Sequence, residues 1–234
     1  MIAEPQFEPL AEDALLLRFG ERIDLDLNAR VQAAASSLHR QLPQLECVPA
    51  YASVLLRFDP AAWAGADGHP HQQVQAAVLA ALRDTDPVSH AAHEITIPVC
   101  YGGAYGPDLL DVATHVRLPA DEVVARHTGA EYRVAMLGFA PGFPYLLGLD
   151  PQLAVPRRDD PRQRVPIGSV AIGGGQTGIY PQQLPGGWQL IGRTPLRLFD
   201  AASEPPSRLV AGDRVRFQAI DEATFRQLVP GDPP

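Results

Sequence analysis

The chain has 234 residues, 46% hydrophobic and 20% charged, with a formal net charge of −8. That gives room for one large or two small domains with real cores in a soluble protein, and it argues against a nucleic-acid partner, which demands a net basic face. All 19 basic side chains are arginine, which excludes a Walker-type phosphate loop, a Schiff base, a pyridoxal phosphate linkage and a biotinylated side chain, because each needs lysine.

The opening MIAEPQFEPL has neither a basic n-region nor an apolar h-region, so no signal peptide is expected. Residues 14–20 (ALLLRFG) read as a strand. Residues 25–42 place Leu27, Val31, Ala34, Leu38 and Leu42 at helical spacing, and Pro43 stops the run. Residues 46–51 and 53–58 read as two strands, and residues 70–84 as a helix with Val74, Ala77, Val78, Ala81 and Leu82 on one face. EITIPVCY (94–101) then alternates like a strand. The order β-α-β-β-α-β is that of a ferredoxin-like unit. A boundary is expected in the polar, turn-rich residues 86–93, dividing the chain into 1–90 and 91–234. Residues 107–116 and 119–129 read as two short helices, residues 132–139 as a strand, and residues 169–172, 188–192, 196–199 and 214–219 as further strands. Short strands at such spacing suggest a sandwich or barrel. VPGDPP reads as a tail. No apolar run approaches the roughly 20 residues that span a membrane, so the expected location is the cytoplasm. Cys47 and Cys100 are too few for a disulfide framework or a structural zinc site.

From Gly138 to Arg197 the composition is unusual, with eleven glycines, nine prolines and six arginines. Gly173-Gly174-Gly175-Gln176-Thr177-Gly178 matches G-x-G-x-x-G, but Pro181, Pro185 and the Gly186-Gly187 pair leave no room for the helix a dinucleotide site requires. What remains is a Gly-rich hairpin or a backbone-lined binding loop. Arg157, Arg158, Arg162, Arg164 and Arg193 lie in or beside Gly/Pro loops, either as forks for carboxylate or phosphate, or as solvated charges partly neutralised by Asp159 and Asp160. His127 is either an acid–base group or a surface or cap residue near a helix end. Tyr132, Tyr180 and Trp188 either complete a core or line a pocket. His90-x-x-His93 has no third ligand nearby, and no nucleophile motif is present.

The strings GFAPGFPYLLGL (138–149), PRRDDPRQRVPIGSV (156–170) and GGGQTGIYPQQLPGGWQLIGRTPLRLFD (173–200) resemble the family of 5-oxoprolinase B subunits. YGGAYGPDL (101–109) and ARHTGAEYRV (125–134) add weaker matches. That family includes the kinase inhibitor KipI and proteins labelled allophanate hydrolase subunit 1. The resemblance implies an α+β protein, with a ferredoxin-like N-terminal domain followed by a cyclophilin-like β-barrel. It implies ATP-dependent opening of 5-oxo-L-proline to L-glutamate together with a KipA-like C subunit and a LamB/YcsF-like A subunit, this chain being inactive alone. ATP, with Mg, would be held together with a partner, and no metal by this chain. Catalytic roles are expected for His127, Arg162 and Arg193, and substrate or nucleotide binding for Arg157, Arg164, Gln176, Thr177, Tyr180 and Trp188. The aromatic loops 139–145 and 180–188 are expected to be exposed and to pack against the KipA-like partner. The alternatives are an allophanate hydrolase or urea-carboxylase-type carboxyltransferase component, and a non-enzymatic inhibitor of a sensor histidine kinase.

Overall fold

A computed structural model of the chain describes residues 5–65, 69–83 and 93–229. The chain divides into two compact units, Met1–Ala91 and Ala92–Pro234. Of the stretch read as a boundary, only His93 is among the described residues; His90 lies outside them, as does the tail beyond Val229.

In the first unit, β1 (Gln6–Ala11) and β2 (Ala14–Arg18) form a hairpin, followed by α1 (Leu25–Gln41), β3 (Glu46–Pro49), β4 (Ser53–Arg57), the short α2 (Pro60–Trp63) and α3 (Pro70–Arg83). The sheet order is β1-β2-β4-β3, antiparallel throughout. Strand period places Leu15, Leu17, Val54 and Leu56 on one face, where they meet Val31 and Leu38 of α1 and Val74 and Val78 of α3. The Asp24 carboxylate begins α1 by accepting from the backbone N–H groups of Asp26 and Leu27 at 3.0 and 2.9 Å.

This is a ferredoxin-like layer with one substitution of parts. The expected closing strand 94–101 is not in this sheet, and the edge beside β2 is taken by β1. Five of the six β1 residues are exposed, so no apolar alternation marked that strand in the sequence.

The second unit runs β5 (Glu94–Tyr101), α4 (Leu109–Val116), α5 (Ala120–Gly129), β6 (Tyr132–Leu137), β7 (Pro144–Leu147), a 3-10 turn (Pro151–Leu153), β8 (Arg162–Val165), β9 (Ser169–Gly173), β10 (Gln176–Ile179), β11 (Leu184–Gly186), β12 (Gln189–Arg193), β13 (Arg214–Ile220) and α6 (Glu222–Leu228). Seven strands close a barrel in the order β10-β7-β6-β13-β5-β12-β9, while β8 and β11 pair separately as a two-stranded ribbon. β5 runs parallel to β13 in the barrel. Residues 196–199, expected as a strand, contribute only an isolated bridge from Phe199 to Ser207.

Alternation along β9 separates two apolar clusters. Val170 and Ile172 join the main core with Ile97, Leu146, Ile191 and Val215, whereas Ala171 joins Phe143, Val165, Tyr180, Trp188 and Leu190 on the opposite face. None of the described helices is long and apolar enough to cross a membrane.

Replacing Asp24 with alanine removes both hydrogen bonds at the start of α1. The expected loss is about 1 kcal/mol in urea unfolding, and an unchanged midpoint would mean that the cap contributes nothing.

Candidate functional site

The second face of β9 carries the most distinctive surface of the molecule. The β6–β7 connection, the 157–161 loop and the β8–β11 ribbon enclose a cleft of about 350 Å³, lined by Phe139, Phe143, Tyr145, Arg157, Arg158, Pro161, Tyr180, Pro185, Gly186, Gly187 and Trp188. Phe143 is its hub. Its ring centre lies 4.9 Å from Tyr145, 5.2 Å from Tyr180 and 5.9 Å from Trp188, the last two edge-on, an arrangement that aromatic quadrupoles favour. Burial pushes the Tyr145 and Tyr180 hydroxyls above their ordinary range. The Arg157 guanidinium lies over the indole of Trp188, 5.7 Å from the ring centre.

Glycines make room for this cluster. A Cβ on Gly173 would lie 2.6 Å from two indole atoms of Trp188, and one on Gly186 would lie 2.2 Å from the Tyr180 hydroxyl. The G-x-G-x-x-G string is therefore the turn between β9 and β10. Gly174 takes a φ of +65° there, β10 follows in place of a helix, and the indole of Trp188 lies against Gly173 and Gly178. A pyrophosphate has no helix N-terminus to meet.

The aromatic loops are exposed only in part, at Phe139, Pro141, Gln182, Gln183 and Pro185. Phe143 is 2% exposed and Trp188 5%, whereas Phe139 is 61% exposed. Phe139 also holds a φ of +67°, a left-handed conformation that is strained for a bulky side chain. It sits edge-on against Phe143 at 5.5 Å.

Behind the cleft lies a buried carboxylate that sequence reasoning did not single out. Asp108 is 2% exposed. It accepts two hydrogen bonds from Arg162, at 2.9 and 2.7 Å, and one from the backbone N–H of Leu190 at 2.7 Å, with Arg158 at 3.5 Å. Asp108, and not the Asp159 or Asp160 carboxylate, is the ion-pair partner of these two arginines. Nothing in the local string GPDLL marks it, since its partners are 54 and 82 positions away.

His127 lies in the barrel core, fully buried. Thr177 donates its hydroxyl hydrogen to the Ala171 carbonyl at 2.9 Å, so it accepts from His127 Nε2–H at 3.0 Å, and His127 Nδ1 accepts from the Tyr101 hydroxyl at 2.8 Å. The ring packs against Phe217, 4.5 Å between centres. Burial lowers its pKa from 6.5 to about 3 and holds the imidazole neutral.

Of the nine residues expected at a site, the structure brings Arg157, Tyr180 and Trp188 together in the cleft. Arg162 is paired with Asp108 behind it. His127 and Thr177 are in the core, Arg164 is exposed on β8, and Gln176 is half-buried at the start of β10. Arg193 lies apart from the cleft lining, its guanidinium 5.8 Å from the Tyr105 ring centre. Among the described residues no three His, Cys, Asp or Glu side chains gather as a metal site.

Comparison with known proteins places this architecture. A family model described as carboxyltransferase domain, subdomain C and D, matches residues 5–209. The chain is 42% identical over 235 residues to the 5-oxoprolinase B subunit of Bacillus subtilis (strain 168), covering 96% of this chain and 97% of that protein. Among solved structures it is similar to TTHA0988, with a TM-score of 0.77 and 37% identity over 95% of this chain, and it spans 41% of that longer chain. The K. lactis urea amidolyase matches at a TM-score of 0.73 and 20% identity, over 96% of this chain and 15% of that one, and so shares the fold.

Two outcomes follow. Gly173→Ala forces the Trp188 indole aside, so it should destabilise the protein by about 1–3 kcal/mol and shift tryptophan emission; an unchanged melt and spectrum would mean the indole does not rest on that glycine. For His127, the unfolded chain binds a proton that the folded chain refuses between pH 6.5 and about 3. Its contribution to stability is therefore full above pH 6.5 and is lost, at about 1.4 kcal/mol per pH unit, as pH falls through that window. Urea titrations across pH should show a shallower acid-side slope for His127→Gln, and equal slopes would contradict the buried neutral ring.

Proposed function

This chain belongs to the carboxyltransferase-domain family of 5-oxoprolinase B subunits, and we propose that it acts as the B subunit of an ATP-dependent 5-oxoprolinase, opening 5-oxo-L-proline to L-glutamate with a KipA-like partner and a LamB/YcsF-like partner. The observation that carries the reading is the end-to-end similarity to the Bacillus subtilis B subunit, 42% over 96% of this chain.

The geometry supports a binding role within that reaction. Arg157, Tyr180 and Trp188 offer an aromatic recess, with a cation on the indole, for a planar group carried by substrate or nucleotide. Arg162 is a positioning residue, holding the ribbon through Asp108. His127 has a structural part, because its nitrogens are both engaged and its ring is sealed from solvent.

Bond breaking is assigned in this reading to the partner subunits. Burial pushes the Cys47 thiol up to about 11 and raises that of Cys100, so neither is a ready thiolate. The Gly-rich turn offers nucleotide phosphates no helix N-terminus, since β10 follows it directly. In this reading the nucleotide phosphates, the magnesium ion and the groups that attack the lactam belong to the two partners.

Reconstitution tests this. The purified chain should form no glutamate from 5-oxo-L-proline and ATP, and should be required when the three proteins are mixed. Turnover by this chain alone at the rate of the complex would defeat the division of labour. Tight binding to a sensor kinase, with no gain on adding the chain to the KipA-like and LamB/YcsF-like partners, would favour the inhibitor reading instead.

A further inference from the structure

Arg193 differs from the arginines that the fold pairs internally. Arg158 and Arg162 share Asp108. Arg193 has no carboxylate partner among the described residues, and its Nε is buried with no hydrogen-bond partner. Ser169 is 0% exposed, and its hydroxyl is likewise buried and unpartnered.

These two orphans are neighbours. Ser169 and Arg193 are register partners between β9 and β12, so their side chains leave the sheet side by side with Cβ atoms about 5 Å apart. Both belong to the face that carries Ala171 and Leu190, since those residues also pair across the same two strands. The guanidinium is held from a third side by the Tyr105 ring at 5.8 Å. Gly168 lies alongside with a φ of +79°, and a Cβ there would meet the Thr194 carbonyl oxygen at 2.3 Å, so the backbone beside Arg193 is fixed by a glycine. A buried donor left unpaired costs about 1–3 kcal/mol, and two such donors side by side are an arrangement that stability alone does not favour.

From this we infer that Arg193 and Ser169 form a binding site for one carboxylate group of a small molecule. One ligand oxygen accepts from Arg193 Nε–H and from the Ser169 hydroxyl. The guanidinium supplies the charge, and Tyr105 fixes its plane. The site is separate from the aromatic cleft, which neither residue lines. The choice of 5-oxo-L-proline as a probe rests on the proposed 5-oxoprolinase reading; the carboxylate class rests on the geometry.

The test is calorimetric titration of the intact chain with three compounds: 5-oxo-L-proline, its carboxylate-free lactam 2-pyrrolidinone, and the lactam-free ring acid cyclopentanecarboxylate. The site predicts that the ring acid or 5-oxo-L-proline binds at least about tenfold more tightly than 2-pyrrolidinone. Arg193→Lys, which keeps the charge and loses the planar fork, should weaken that binding by about tenfold or more with an unchanged melting temperature. Ser169→Ala should weaken it by a few-fold while leaving the melting temperature equal or higher, because the lost hydroxyl was unpaired. A merely structural serine would lower the melting temperature instead, and that result overturns the proposal. So does wild-type affinity in Arg193→Lys, or inorganic phosphate binding through these residues in place of the carboxylates. If no carboxylate binds, the two donors hold only ordered water, and the proposal fails. Equal affinity for cyclopentanecarboxylate and 5-oxo-L-proline would leave the carboxylate site standing and count against the lactam reading alone.

Discussion

The Asp108 carboxylate is the constraint on which the candidate site depends. It stands just ahead of α4, and its hydrogen bonds reach two other parts of the unit: the β12 backbone at Leu190, and the ribbon through Arg162 on β8. The ribbon strands β8 and β11 pair only with each other and are not part of the barrel. This ion pair fastens them to it, together with the apolar contacts of Val165 and Leu184 and the Tyr180 ring lying against Gly186. Breaking a buried pair by removing one partner costs about 3–5 kcal/mol, because the other charge is left unpaired. Without that anchor the wall of the cleft formed by Pro161, Pro185 and Gly186 would lose its position.

The second requirement is space. Strand period sends Ala171 and Gly173 to the outer face of β9, and residues this small leave a shelf on which Trp188 and Phe143 lie. Larger residues at these positions would fill the volume that the aromatic rings now occupy. The same alternation sends Val170 and Ile172 inward, so a single strand supports both the barrel core and the cleft. The buried chain from Tyr101 through His127 to Thr177 works from the inside. It ties α5 to β5 and β10, and ends on the carbonyl of Ala171.

Much of this was legible in the sequence where a local period or a single chemical exclusion sufficed. The α1 and α3 helices follow from Val31, Leu38, Val74 and Val78, and the absence of a helix after the Gly-rich string follows from Pro181 and Pro185. Family resemblance supplied the barrel. What was not legible is non-local or unpatterned. β1 is exposed along nearly all its length, and β7, β8, β10 and β11 are three or four residues long, too short to show alternation. Asp108 finds its arginine 54 residues away. Ser169 meets Arg193 only because β9 and β12 pair with a bulge between Leu190 and Gly192. Arginines that look alike in the sequence are therefore sorted by tertiary pairing: Arg162 is held by a carboxylate, Arg157 lies on an indole, and Arg193 lies by the Tyr105 ring with no carboxylate partner among the described residues.

Hydrogen exchange of Asp108→Asn tests most directly the claim that this carboxylate builds the cleft. Amide protection should fall selectively in residues 162–165 and 184–188, while the barrel strands at 94–101 and 214–220 keep theirs. Unchanged protection of the ribbon, or an equal loss across the whole barrel, would contradict the account.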